Sequence, residues 1–143
     1  ITTEIQQSPS GDWSAQFAGN PEFVTANGLG IIIAGWGPDW PSGFGYLSQL
    51  VDGRAIKPQG GNYNQMELND PAINELLDKG IQTTDLEERN AIWNEIDEKV
   101  MESGAFLPFV YEKVLLYRPE TLTNVFVDKS FGQYWFPQLG STS

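Results

Sequence analysis

Apolar and polar positions change rhythm several times along the chain. Residues 1–7 alternate weakly and carry β-branched residues, and Ser8-Pro9-Ser10-Gly11 breaks the run as a turn would, which predicts a first strand. From Asp12 to Gly30, Trp13, Phe17, Phe23 and Val24 are interrupted by Gly19, Asn20 and Pro21, predicting two short helical pieces, with Pro21 opening the second and Asn27-Gly28 closing it. The run from Gly30 to Trp36 (Gly-Ile-Ile-Ile-Ala-Gly-Trp) is apolar without alternation, the pattern of a strand buried on both faces of a sheet. Gly35, Gly37, Pro38 and Pro41 then force an irregular turn, so Trp36, Asp39 and Trp40 fall on a loop at the carboxyl end of that strand, where α/β sheets usually bind ligands.

Helical spacing follows. Phe44, Leu47, Leu50 and Val51 predict a short helix over 42–51. Residues 53–66 form a Gly-rich polar loop too long for a simple connection. Asp70-Pro71 reads as an N-cap followed by proline at the first helical position, ahead of an apolar stripe of Ile73, Leu76, Leu77 and Ile81. Asp85 and Glu88 have capping-box spacing, and Leu86, Ile92, Trp93, Ile96 and Val100 form a second stripe that ends near Gly104. Phe106 to Tyr117, rich in valine, leucine and aromatics, predicts one or two further strands. The segment Asn124 to Leu139 holds five aromatics.

Composition narrows the chemistry. The 143 residues carry 19 acidic and 8 basic side chains, a net charge of -11, and no cysteine or histidine. That excludes a disulfide framework, a zinc-finger ligand set, a thiolate nucleophile and a Ser-His-Asp relay. The charge also argues against nucleic acid as partner, because phosphate tracking needs clustered lysine and arginine. Between Met66 and Gly104, eleven acids face three bases, and a solvated helix surface is the preferred reading over an acidic docking patch. The longest apolar stretch, Leu29 to Trp36, is far short of a membrane span, and nothing at the start resembles a signal peptide. The chain opens on Ile1, without Met, within a strand-like run, which predicts that it starts partway through something longer.

The densest chemical candidate is Gly35-Trp36-Gly37-Pro38-Asp39-Trp40-Pro41, two indoles flanking a carboxylate with glycines that admit close backbone approach. Such a cluster suits a ligand bearing a cation, through ion pairing and cation-π attraction. The competing reading places the tryptophans in the core and Asp39 as a cap of the helix near Ser42. Nothing places a second acid opposite Asp39, as glycosidic cleavage requires. Asn62-Tyr63-Asn64 offers hydrogen bonds to a ligand, although Asn and Gly are equally the residues of turns. Gly60-Gly61 lacks the Gly-Lys-Ser/Thr sequel of a phosphate loop. Strand alternation places Tyr111 and Tyr117 on one face, for packing or for stacking on a ligand.

In this order, Ala34-Gly35-Trp36-Gly37-Pro38-Asp39, Asn62-Tyr63-Asn64, Asn69-Asp70-Pro71 to Leu77, Asp85-Leu86-Glu87-Glu88-Arg89 and Phe106-Leu107-Pro108-Phe109-Val110-Tyr111 resemble the C-terminal part of the family 5 extracellular solute-binding proteins, the peptide-, dipeptide- and nickel-binding receptors of ABC importers. The resemblance runs over nearly the whole chain. It implies an α/β, periplasmic-binding-protein-like fold of the type II, two-lobed architecture, of which this chain would be the C-terminal portion. Residues 1–104 would complete the second lobe, and 105–143 would be the crossover and closing strands of the first. It further implies a receptor rather than an enzyme, without cofactor or metal, which captures an oligopeptide or a related cationic solute and delivers it to a membrane permease. The implied location is the periplasm or the outer face of the cytoplasmic membrane, with a lipid anchor on the missing N-terminal part, and the absence of cysteine fits an exported protein that needs no disulfides.

By position, Asp39 falls where peptide-binding members pair an aspartate with the peptide's ammonium. Trp36 would line the same pocket, and Tyr111 falls where a crossing-strand tyrosine approaches the ligand, while Trp40, Asn62 and Tyr63 are added as ligand-contact candidates by the residue pattern itself. Two features depart from the pattern: Trp40-Pro41 directly follows the aspartate, and histidine, which nickel-binding members often recruit, is missing. An alternative from another class is an extracellular carbohydrate-binding or carbohydrate-active domain, with Trp36 and Trp40 stacking on sugars. It accounts for the composition but not for the order of motifs.

Overall fold

Asp70 and Asp85 open the two helices that organise the molecule. In the computed structural model, which describes residues 2–7, 11 and 16–142, Asp70 Oδ1 accepts from the Ala72 N–H at 2.8 Å and Asp85 Oδ1 from the Glu88 N–H at 2.8 Å. Each cap satisfies an amide that has no partner within its helix. In chain order the helices are α1 (Pro21–Ala26), α2 (Phe44–Leu50), α3 (Pro71–Gln82) and α4 (Leu86–Ser103). Gly104 ends α4 in the left-handed conformation, at a φ of 67° that glycine adopts without a Cβ penalty. Among the described residues, no helix is long and apolar enough to cross a membrane.

The predicted stripes meet. Ile73 and Leu77 of α3 pack with Ile92, Trp93, Ile96 and Val100 of α4 and with Val51, and Phe44, Leu47 and Leu50 of α2 close one side. Ile81 and Leu86, the stripe residues nearest the α3–α4 turn, lie outside this core and stay exposed. Trp93 is the centrepiece. A Cβ on Gly43 would fall 2.7 Å from its Cγ, and one on Gly80 would overlap the far edge of its six-membered ring. The two glycines therefore let α2 and α3 close on an indole that is only 6% exposed.

A short 3-10 turn, Gly53–Ala55, follows α2 and is tied to α3. Asn74 Oδ1 accepts from the Gly53 N–H at 3.1 Å. Arg54 forks onto Asp78 of α3 (Nη1 to Oδ2, 2.7 Å; Nη2 to Oδ1, 2.9 Å) while its Nε donates to Asp52 Oδ1 at 2.9 Å. This guanidinium holds both carboxyls below the usual aspartate range, chiefly by direct hydrogen bonding.

Beyond residue 120 two small antiparallel ribbons nest. The pair β1 (Leu122–Thr123) and β4 (Gly140–Ser141) encloses the hairpin of β2 (Val127–Asp128) and β3 (Gln133–Tyr134), in registers Leu122 to Ser141 and Val127 to Tyr134. Asp128 Oδ1 accepts from the amides of Ser130 and Phe131, and Gly132, at φ 63°, completes the turn.

Three predicted strands are corrected. Residues 2–7, 30–36 and 106–117 have no regular secondary structure, while Ile1 and residues 12–15, on which parts of the first strand and the first helical piece fall, lie outside the described residues. The run expected to be buried on both faces leaves Ile31 85% and Ile33 83% exposed, and Phe109, Tyr111 and Leu115 are exposed almost completely. A strand exists only through hydrogen bonds to a neighbour, and among the described residues none lies beside these segments. The end of the third is tethered, since the Tyr134 hydroxyl donates to the Tyr117 carbonyl at 3.0 Å.

Candidate functional site

The first turn of α2 seats the loop that carries Trp36, Asp39 and Trp40. Trp36 Nε1 donates to the Gly45 carbonyl at 2.9 Å, and the open side of Gly45 faces the backbone of Pro38, Asp39 and Trp40 at ordinary contact distance. Trp36 is half-buried, and its ring meets that of Tyr63 with centroids 4.7 Å apart and planes inclined at 55°. Trp40, about half exposed, lies near-parallel to Phe44 at 6.4 Å, and Phe44 reaches Trp93 at 6.3 Å. The candidate loop is thereby joined to the core by a relay of aromatic rings.

Asp39 is exposed, and the N-cap residue of α2 is Gly43, so this carboxylate does not serve the helix start, the alternative reading for it. Ser42 Oγ instead accepts from the Phe44 N–H at 3.3 Å. Among the described residues the ion pairs are those of Arg54, and none engages Asp39. A solvated, unpaired carboxylate on the loop that carries two indoles is able to receive a cation without first breaking an internal pair.

Tyr63 joins this group, with a side chain about half exposed, while its neighbours Asn62 and Asn64 are buried. Asn62 Oδ1 accepts from the Lys57 N–H at 2.7 Å, and Nδ2 donates to the carbonyls of Lys57 at 2.7 Å and Gly19 at 2.9 Å. Asn64 closes the other limb, with Nδ2 donating to the Leu68 carbonyl at 2.8 Å and Oδ1 accepting from its N–H at 3.0 Å. Both amides are spent on backbone, as turn chemistry would have them, so Asn62 is not a free hydrogen-bonding group on the surface. Tyr111 is not brought to the site, because it stands 95% exposed on the unpaired segment. The structure thus gathers Trp36, Asp39, Trp40 and Tyr63, places Asn62 behind them and leaves Tyr111 apart. Asn74, which stitches α3 to the 3-10 turn, was not singled out in the sequence, and its place on the buried face of α3, one residue after Ile73, is the one signal that marks it.

No family model matches the chain, and no curated protein matches it. Among solved structures it is similar to one described as "Clavulanic acid biosynthesis oligopeptide binding protein 2", at 38% identity and a TM-score of 0.92, over 98% of this chain and 25% of that chain. The chain therefore spans about a quarter of the length of that protein. In sequence and in fold it is similar to one portion of a protein described as oligopeptide binding, in agreement with the resemblance to the C-terminal part of the family 5 solute-binding proteins.

Proposed function

We propose that the chain is a part of a peptide receptor, contributing one wall of a ligand site made of Trp36, Asp39, Trp40 and Tyr63. The observation that carries this reading is the 38% identity across almost the entire chain to a protein described as oligopeptide binding. The site's chemistry agrees: an unpaired carboxylate suits the ammonium of a peptide N-terminus, and the aromatic faces suit apolar side chains. Residues 1–104 complete a second lobe and 105–143 return to the first, so that Tyr111 reaches the ligand only once the rest of the receptor stands opposite. Capture without chemical change, followed by delivery to a membrane permease at the outer face of the membrane, is the role we assign, with an anchor borne elsewhere on the receptor. Closure of lobes around the peptide would work by greater affinity of the closed state for it.

The test is calorimetric titration of the whole receptor with tri-alanine and with its N-acetylated form. Asp39→Asn weakens binding of the free-amine peptide at least tenfold and leaves the acetylated one little changed. Equal losses for both peptides would remove the assigned role of Asp39.

A further inference from the structure

The residue before Tyr63, Asn62, is buried and engaged on every side. Asn62 makes three side-chain hydrogen bonds, and its own backbone N–H donates a fourth, at 3.1 Å, to the Gly19 carbonyl that its Nδ2 also engages. The amide side chain pairs with both the N–H and the C=O of Lys57, closing the reversal that Gly60 and Gly61 make at φ 103° and 78°. Gly19 lies 43 residues away and is itself buried, next to the Asn20 cap of α1, whose Oδ1 accepts from the amides of Glu22 and Phe23. One side chain therefore fixes the backbone just before Tyr63 to a distant part of the molecule. Asn64, in contrast, bonds only within its own loop, to Leu68. On the facing side, Trp36 is held by its bond to Gly45.

We propose that Asn62 is a positioning residue for the ligand face, setting the Tyr63 ring against Trp36 by binding the loop 57–62 to Gly19 before any ligand arrives. The functional meaning rests on the reading of Trp36 and Tyr63 as a ligand wall. Trp36 is held by its bond to Gly45 and Tyr63 by the tied backbone beside it and by its contact with Trp36, while both rings keep exposed area, so little side-chain ordering remains to be done on binding.

The experiment needs no ligand, so its failure is distinct from failure of the binding reading. Tryptophans are replaced by 5-fluorotryptophan, and the fluorine resonances are assigned by single Trp→Phe substitutions. Tyr63→Leu defines the position of the Trp36 resonance without its neighbouring ring. Asn62→Ala is expected to move the Trp36 resonance to that position while those of Trp93 and Trp135 stay in place. An unmoved Trp36 resonance overturns the proposal. Should Asn62→Ala displace all resonances together, Asn62→Asp decides, since it keeps the acceptor for the Lys57 N–H and removes both Nδ2 donors: selective movement of Trp36 upholds the proposal, and no movement or general movement overturns it.

Discussion

Gly80→Ala and Gly45→Ala make the same chemical change inside two helices, and the structure assigns them opposite signs. Replacing an interior helical glycine with alanine gains about 1 kcal/mol, because alanine gives up less backbone freedom on folding. At Gly45 the new methyl would meet nothing closer than the Trp40 carbonyl at 3.8 Å, so most of that gain should survive. At Gly80 it would overlap Cη2 and Cζ3 of Trp93, and that ring cannot swing aside because Gly43 backs its other end. Overpacking of this kind costs about 1–3 kcal/mol, and the rigid setting of the indole places it in the upper part of that range. Gly80→Ala should therefore be destabilising by about 1–2 kcal/mol net, and the two variants should differ by about 2–3 kcal/mol. Urea unfolding followed by tryptophan fluorescence measures this directly, with the midpoint shifting and the slope unchanged. Trp93→Phe removes the ring atoms that collide, so a double-mutant cycle should show most of the Gly80→Ala penalty relieved in that background. A Gly80→Ala chain as stable as the parent, or a penalty untouched by Trp93→Phe, would refute the packing argument.

Two further outcomes follow from the fold. Arg54 holds Asp52 and Asp78 below their ordinary pKa, so the folded chain keeps these carboxylates ionised to lower pH than the unfolded chain does. The stability they add is complete above about pH 4–5 and is lost as pH falls through the lowered values, so the melting-temperature gap between the parent and Arg54→Gln should be present at neutral pH and narrow as pH falls below the ordinary aspartate range. A gap equal at pH 7 and at about pH 2 contradicts the linkage. The second concerns the unpaired segments: with Ile31, Ile33, Phe109, Tyr111 and Leu115 exposed on stretches without regular secondary structure, the chain by itself should pair edge to edge with a second copy. Sedimentation velocity should show concentration-dependent association that Phe109→Glu with Tyr111→Lys suppresses, and a parent chain monomeric at every concentration counts against it.

Local residue order was enough for all four helices, α1 to α4. A helix closes its hydrogen bonds within its own segment, so Asp70-Pro71, Asp85 with Glu88, and Gly104 act on neighbours only a few residues away, and the stripes Ile73 to Leu77 and Ile92 to Val100 mark which faces meet. The grouping of Trp36, Asp39 and Trp40 was legible for a similar reason, since seven consecutive residues carry it. Tertiary structure decided the rest. Whether Gly30 to Trp36 or Phe106 to Tyr117 becomes a strand depends on a partner that no local pattern supplies, and the described residues hold none. That Tyr63 meets Trp36, that Asn62 is spent on Gly19 rather than on a ligand, and that Gly43 and Gly80 leave room for one indole are contacts between residues far apart in the chain. Such contacts are fixed by how packed surfaces fit, and the residue types alone admit several arrangements.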